Sequence, residues 1–180
     1  TQSAATDCDG TFATNGGEVA LGAISRTAVS SSDASAVHHI CTRVSTNAAT
    51  GASVYVTSLN AALKSTATPG DTIPSITATP LAGATAGYGL CVGSGGSDTG
   101  AGVTVPVSAT PTRVAPFDPI CTSAVHNIGA LTGSPQILWS VAGATSNAFG
   151  RVLVKAAASA ATATHTDYSD ALTFIAAGVF

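Results

Sequence analysis

Charge is what this sequence has least of. Only 8% of its 180 residues are Asp, Glu, Lys or Arg, whereas an ordinary soluble domain has about a quarter. Methionine is absent, tryptophan occurs once, and Glu18 is the single glutamate. Hydrophobic residues make up 45% of the chain, and more than half of all positions are Ala, Thr, Ser or Gly. A surface this poor in charge predicts a protein that associates with copies of itself or that works where durability matters more than solubility.

The shortage of charge also excludes classes of partner. The net charge is -3 and the few basic residues are scattered, so no basic stripe exists to neutralise the phosphates of a nucleic acid. No run of about 18 apolar residues is present, and we therefore predict no membrane span. The chain starts at Thr1 with no charged and then apolar leader. This start predicts a secreted, extracellular or cell-surface protein whose signal peptide has been removed.

Motifs for catalysis and cofactor binding are missing as well. There is no G-x-S-x-G elbow, no phosphate-binding loop and no dinucleotide fingerprint. His38, His39 and Cys41 lie close together, and Cys121 precedes His126 by five residues, which raises the question of a metal site. Neighbouring residues of a strand point to opposite faces, so His38 and His39 are poorly placed to share one ion. We predict that the protein is not an enzyme and that it has no metal site and no cofactor.

Four cysteines are present, Cys8, Cys41, Cys91 and Cys121. They contain no C-x2-C pair, and an even number at wide spacing predicts two disulfides formed in an oxidising compartment. Three pairings are open to four cysteines. We favour Cys8–Cys41 and Cys91–Cys121, each of which closes a loop of about 30 residues worth roughly 3–4 kcal/mol in the chain-entropy model. Four buried free thiols are the alternative.

Short alternating runs bounded by turn residues dominate the rest of the chain. The runs are residues 17–24, 37–46, 52–59, 88–92, 103–108, 119–125, 136–141, 150–157 and 168–180. About nine or ten short strands predict an all-β protein, a single antiparallel β-sandwich domain over residues 1–180 with extended terminal strands, immunoglobulin-like or jelly-roll-like. The runs 37–46 and 52–59 flank a short polar link containing Gly51, which predicts a β-hairpin.

The last run, residues 168–180, is apolar on both of its faces. Leu172, Phe174 and Phe180 lie on one face, and Ile175 and Val179 lie on the other. Chain ends are normally solvated, so we predict that this strand is buried along its whole length, in its own sandwich or in a neighbour's. These five residues are our first candidates for an assembly strand. An ordinary central strand within the same chain is the alternative.

Two segments carry a resemblance to a known family. Tyr168-Ser169-Asp170-Ala171-Leu172-Thr173-Phe174 resembles the closing strand of secreted bacterial β-sandwiches, including the spore-coat-U-like pilins of archaic chaperone–usher pili. Residues 45–56 are similar to a hairpin of the same proteins. The resemblance implies an extracellular immunoglobulin-like fold and polymerisation by strand exchange.

In that family the donated strand is N-terminal and alternates bulky apolar residues. Residues 1–7 of this chain are polar and do not follow the pattern. An N-terminal donor would therefore begin after Cys8 and use Phe12, Val19 and Leu21, and Cys8 itself would be free to bond to a cysteine of the next subunit. Both termini stay open as the donor.

We predict from these features a structural subunit of an extracellular filament, pilus or surface layer that forms a homopolymer. The alternative function is a secreted carbohydrate- or surface-binding adhesin module. Trp139, in the apolar run 136–141, is predicted to be a core residue rather than a platform for a sugar. The abundant Ser and Thr residues are compatible with O-linked glycans as covalent partners.

Overall fold

A computed structural model describes residues 2–3, 17–32, 39–93, 103–104 and 111–180. All of the regular elements in these ranges are β-strands. They are β1 (Gln2–Ser3), β2 (Ser30–Ser31), β3 (His39–Thr46), β4 (Ala52–Ser58), β5 (Ala62–Ser65), β6 (Thr72–Pro74), β7 (Gly87–Val92), β8 (Val103–Thr104), β9 (Thr112–Arg113), β10 (Gln136–Val141), β11 (Thr145–Ala157), β12 (Tyr168–Ser169) and β13 (Leu172–Gly178).

The strands form two main sheets with the core between them. One sheet has the order β1-β3-β11-β2, with β7 and β8 also paired to β11, and the other has the order β13-β4-β10-β9. A small third sheet, β12-β5-β6, continues from the second because β5 follows β4 and β12 precedes β13. The pairings between these strands are antiparallel. The predicted all-β antiparallel sandwich is therefore confirmed.

β11 is the central strand of the first sheet. It pairs with β3 and β2 along one edge and with β8 and β7 along the other. Its inner face contributes Val152 and Val154 to the main core cluster. Its outer face contributes Leu153, which packs on Cys91 and Cys121. Both faces are thus covered, and residues 151–157 are all buried.

The buried residues of β11 include a lysine. Lys155 is completely buried, and its Nζ donates to the Ser31 hydroxyl at 3.1 Å and the Thr122 carbonyl at 2.6 Å. Nζ also lies 3.2 Å from His126 Nδ1. A buried ammonium is tolerated only where such acceptors replace its lost hydration. Lys155 therefore connects β11 to β2 and to the loop that follows Cys121.

Trp139 links the two sheets at the middle of the core. It is fully buried, as predicted, and its indole Nε1 donates to Thr42 Oγ1 of the opposite sheet at 2.9 Å. A β-bulge between Ile137 and Trp139 allows the consecutive residues Leu138 and Trp139 both to be buried. Gly150 gives the ring its space, because a Cβ there would lie 2.6 Å from the indole nitrogen.

The predicted hairpin of residues 37–46 and 52–59 is wrong. β3 and β4 both exist, but they lie in different sheets, and the link between them crosses the sandwich. The link turns on a hydrogen bond of 3.1 Å from Gly51 N to the Ala48 carbonyl, with Gly51 at a φ of +102° that favours glycine. Pairing with strands distant in sequence decides which sheet each strand joins. β4 pairs with β10 on one edge and with β13 on the other, and β3 pairs with β11.

Other expectations are met in part. The runs 52–59, 88–92, 136–141 and 150–157 correspond to β4, β7, β10 and the second half of β11. The runs 17–24 and 119–125 are not strands, and β5 and β6 were not predicted. Residues 119–125 instead form the loop that the Cys91–Cys121 disulfide holds against β11. Of the run 103–108, the described residues 103–104 form β8.

Candidate functional site

The C-terminal assembly candidates lie on β13, at the edge of the second sheet. β13 pairs along its full length with β4, from Leu172 opposite Ser58 to Gly178 opposite Ala52. Leu172 and Phe174 face the main core and are half-buried. Ile175 faces outward and is 46% exposed, and Phe180 is 93% exposed. Within its own sandwich the strand is thus not buried along its whole length, because an edge strand has one neighbour and one covered face.

The outer edge of β13 is open in the part of the chain that the structure describes. The sheet ends at this strand, and its seven residues, LTFIAAG, contain no charge and no proline. A groove of about 260 Å³ lies between β13 and β3 of the opposite sheet. Phe174, Ala176, Ile40 and Thr42 line it, and Val54 forms part of its floor. The groove gives access to apolar side chains between the two sheets.

Of the N-terminal assembly candidates, Val19 and Leu21 are half-buried and pack against the main core, whereas Phe12 lies outside the described residues. The segment that carries Val19 and Leu21 has no strand partner in the described ranges. Its side chains therefore occupy the core surface without the ladder of main-chain hydrogen bonds that fixes a strand.

The cysteines were predicted as two disulfides. The Cys91–Cys121 bond is present, with a Cα–Cα distance of 6.2 Å and a sequence separation of 30. Cys41 is disulfide-bonded as well. Its predicted partner, Cys8, lies outside the described residues. Four free thiols are thereby excluded.

Asp170 fixes the corner from which β13 starts. Its carboxylate accepts hydrogen bonds from the Ser58 hydroxyl at 2.6 Å, the Asn60 amide at 3.1 Å and the Tyr88 hydroxyl at 3.2 Å. Burial raises the pKa of Tyr88 far above its usual range, and the negative charge of Asp170 and the hydrogen bond to it add to the rise. Asp170 belongs to the Tyr-x-Asp-x-Leu-x-Phe motif, so the motif was a usable signal for this corner.

Asp167 plays a similar role three residues earlier. It accepts from the Thr66 hydroxyl at 2.6 Å, the Ala67 amide at 2.7 Å and the Ser65 hydroxyl at 2.9 Å. These donors, led by Thr66, hold the pKa of the Asp167 carboxyl well below its usual range. The two aspartates together join the C-terminal strands to β4, β5 and the turns beside them.

A second concave feature was not predicted at all. A cavity of about 920 Å³ lies between residues 22–27 and residues 158–168, with Ile73 at its floor. Arg26, His165 and Tyr168 line it, and the His165 Nε2 is 2.6 Å from the Asp71 carboxylate. In a chain with so few charged residues, a cluster of them would have been a signal for this cavity. Arg26 and His165 are far apart in the sequence, so they form no such cluster there.

The sequence raised the question of a metal site at His38, His39, Cys41, Cys121 and His126. His126 is engaged with Lys155, and His38 lies outside the described ranges. No group of three or more His, Cys, Asp or Glu suited to a metal ion occurs in the described part of the chain. In the same ranges, no helix has the length and apolar character needed to cross a bilayer.

Neither a protein-family model, nor a curated protein, nor a solved structure matches this chain.

Proposed function

We propose that this protein is the structural subunit of an extracellular filament, and that copies join when a strand of one subunit adds to the open edge of β13 in the next. The observation that carries the proposal is the edge itself. Seven consecutive residues without charge or proline end a sheet and border a groove that exposes Phe174 and Ile40 beside the polar side chains of Thr42 and Arg43. An edge of this kind is a template for strand addition unless charge, proline or a covering element blocks it.

The chemistry of the edge suits strand addition. An added strand would satisfy the free main-chain groups of β13, and alternate side chains would enter the groove beside Phe174 and Ala176. Neither lysine lies on this edge, since Lys64 is on β5 and Lys155 is buried, and the Arg43 guanidinium, which lines the groove from β3, lies over the Phe149 ring. The disulfide Cys91–Cys121 supports a location outside the cytosol, where such bonds persist.

The N-terminal segment is the better donor of the two termini. β13 already makes seven residue pairs with β4, and donating it to a neighbour would break all of them. The segment around Val19 and Leu21 rests on the core with no strand partner in the described ranges, so its release exposes a few half-buried side chains. Donation of a segment that includes Phe12, Val19 and Leu21 therefore lowers the stability of the donor subunit less than donation of β13.

The test is a charge placed on the edge. Ala176→Lys puts an ammonium in the mouth of the groove, and Thr112→Lys puts the same charge on β9, the opposite edge of the same sheet. We expect Ala176→Lys to remain monomeric in sedimentation velocity and to form no fibres in electron micrographs. Thr112→Lys is expected to assemble like the unchanged protein.

Circular dichroism and urea unfolding establish that both variants are folded. Fibres formed by Ala176→Lys at the rate of the unchanged protein would refute addition at β13. A stable monomer of the unchanged chain at high concentration would refute the filament. Phe12→Asp tests the donor separately, because it changes one donor residue and keeps Cys8, β1 and β13.

A further inference from the structure

The cavity between residues 22–27 and 158–168 is larger than the groove beside β13. Its volume, about 920 Å³, is within the range of about 300–1,000 Å³ found for sites that bind small molecules. One wall is the irregular segment that precedes β2, and the other is the loop between β11 and β12. The hydrogen bond of 3.0 Å from Ala158 N to the Ser25 carbonyl joins the two walls.

The floor of the cavity is apolar and includes an aromatic ring. Ile24 and Ile73 lie there beside Tyr168, whose hydroxyl donates to the Ala163 carbonyl at 3.0 Å. The His165 ring meets the Tyr168 ring edge to face, with centroids 5.5 Å apart. These contacts hold both rings in place, and a fixed apolar surface of this kind suits the C–H face of a sugar ring.

The rim of the cavity is rich in hydroxyl groups. They belong to Ser25, Thr27, Ser159, Thr162, Thr164 and Thr166. A hydroxyl can donate one hydrogen bond and accept two, and this versatility matches the hydroxyls of a saccharide. The Ser25 Oγ lies 3.1 Å from the Thr27 Oγ1, and the Ser159 Oγ lies 3.2 Å from the Thr162 Oγ1.

Arg26 supplies the charge of the site. Its side chain is exposed, lines the cavity and makes no hydrogen bond or ion pair with any described residue. The nearby carboxylates are engaged elsewhere, since Asp71 is bound to His165 and Asp167 accepts three hydrogen bonds from residues 65–67. A guanidinium presents a planar fork of donors that fits a carboxylate.

We infer that this cavity binds a short saccharide that carries a carboxylate, of the uronic or sialic acid class. Arg26 receives the carboxylate, the hydroxyl-rich rim receives the sugar hydroxyls, and the half-buried Tyr168 and Ile24 receive the apolar face of a ring. The site is distinct from the groove beside β13, because the two share no lining residue. The inference therefore does not depend on the proposed filament, although a filament would present the site many times over.

The binding test compares matched acidic and neutral sugars. The full-length protein, assembled or not, is titrated by calorimetry with 3′-sialyllactose against lactose, and with trigalacturonic acid against maltotriose. We expect at least one acidic sugar to bind. Its neutral counterpart is expected to have a dissociation constant at least about tenfold larger, because it cannot form the charged hydrogen bond to Arg26. Hydrogen exchange is expected to slow at residues 22–27 and 158–168 alone.

The variant test removes the charge. Arg26→Gln is expected to weaken acidic-sugar binding by roughly tenfold or more and to leave neutral-sugar binding unchanged. Lys64→Gln makes the same change of charge at a residue that does not line the cavity, and is expected to bind like the unchanged protein.

Three results would overturn the inference: no binding of either acidic sugar, equal binding of acidic and neutral sugars, or equal losses in Arg26→Gln and Lys64→Gln. Exchange protection beside β13 instead of at the cavity would overturn it too. Fibre formation in the same samples is scored by microscopy, so failure of the sugar site and failure of the filament are read out separately.

Discussion

β11 contains two cations and is buried, whereas β13 contains no charge and lies half exposed at the edge of its sheet. Arg151 and Lys155 are 3% and 0% exposed, while Ile175 of β13 is 46% exposed. β11 has strands on both edges, the core on one face and the disulfide loop on the other. β13 has β4 on one edge and the core under one face. Position in the sheet decides burial here, and hydropathy does not.

The difference bears on assembly. A strand that is apolar on both faces and stands at an edge has surface left to bury, and a second subunit is the cover that we propose for it. Lys155 of β11 shows the opposite case, in which the sheet position is so enclosed that a polar side chain is buried against specific acceptors. We therefore expect single substitutions in the two strands to change the free energy of unfolding by different amounts.

The largest effect is expected in β11. Leu153→Ala removes a fully buried side chain that packs on the Cys91–Cys121 disulfide. We expect the free energy of unfolding, measured by urea denaturation, to fall by about 2–5 kcal/mol, the usual cost of truncating a buried leucine. A loss below about 1 kcal/mol would mean that the outer face of β11 is not sealed by the disulfide loop.

An intermediate effect is expected where the two regions meet. Tyr88→Phe removes the hydroxyl that connects β7, beside β11, to Asp170 at the start of β13. We expect a loss of about 1 kcal/mol at neutral pH, from the missing hydrogen bond. Tyr55→Phe, on the half-exposed ring of β4, is the matched control.

The pH dependence identifies Tyr88 as the cause. Its pKa is raised in the folded state, so the folded state keeps the proton above about pH 10, where an unfolded tyrosine loses it. Stability is fully present below pH 10 and falls as the pH rises past it, by up to about 1.4 kcal/mol per pH unit. Tyr88→Phe is expected to lose most of this slope and to keep the smaller part due to Tyr168, whose pKa is raised by partial burial and by Asp71 and Asp167. Tyr55→Phe is expected to keep the whole slope. Equal slopes in the two variants would contradict the assignment.

The smallest effect is expected in β13. Ile175→Ala, measured in the monomeric Ala176→Lys background, is expected to cost less than about 1 kcal/mol, because the side chain is already half in water. Urea denaturation of the monomer measures it. A loss as large as that of Leu153→Ala would show that β13 is buried in the single chain and would remove the contrast between the two strands.

Local alternation was enough to predict part of this fold. β4 was found because it is rich in β-branched and aromatic residues, β10 because it is a short apolar run bounded by turn residues, and Cys91–Cys121 because it closes a moderate loop. The hairpin of β3 and β4 failed because a short glycine-containing link is compatible with either one sheet or two. The choice rests on β10, β11 and β13, which are distant in sequence.

Part of the candidate sites could also be predicted from the sequence. The apolar C-terminal strand was recognised, but its edge position depends on which strands pair with β4. The burial of Lys155 was not predictable, since its acceptors come from Ser31 and Thr122. The cavity was missed because Arg26 and His165 come together only when the segment before β2 lies against the loop after β11.

Trp139 is an intrinsic fluorescent probe of the folded state. The chain has one tryptophan, it is held between the sheets by Thr42, and it has no solvent exposure. Its emission therefore reports one event, the separation of the two sheets, with a shift to longer wavelength as water reaches the indole. Sugar binding at the cavity leaves that environment in place, and a strand added at the groove that Thr42 lines covers the sheets without admitting water to the indole. Fluorescence thus distinguishes a variant that has unfolded from one that has only lost its partner.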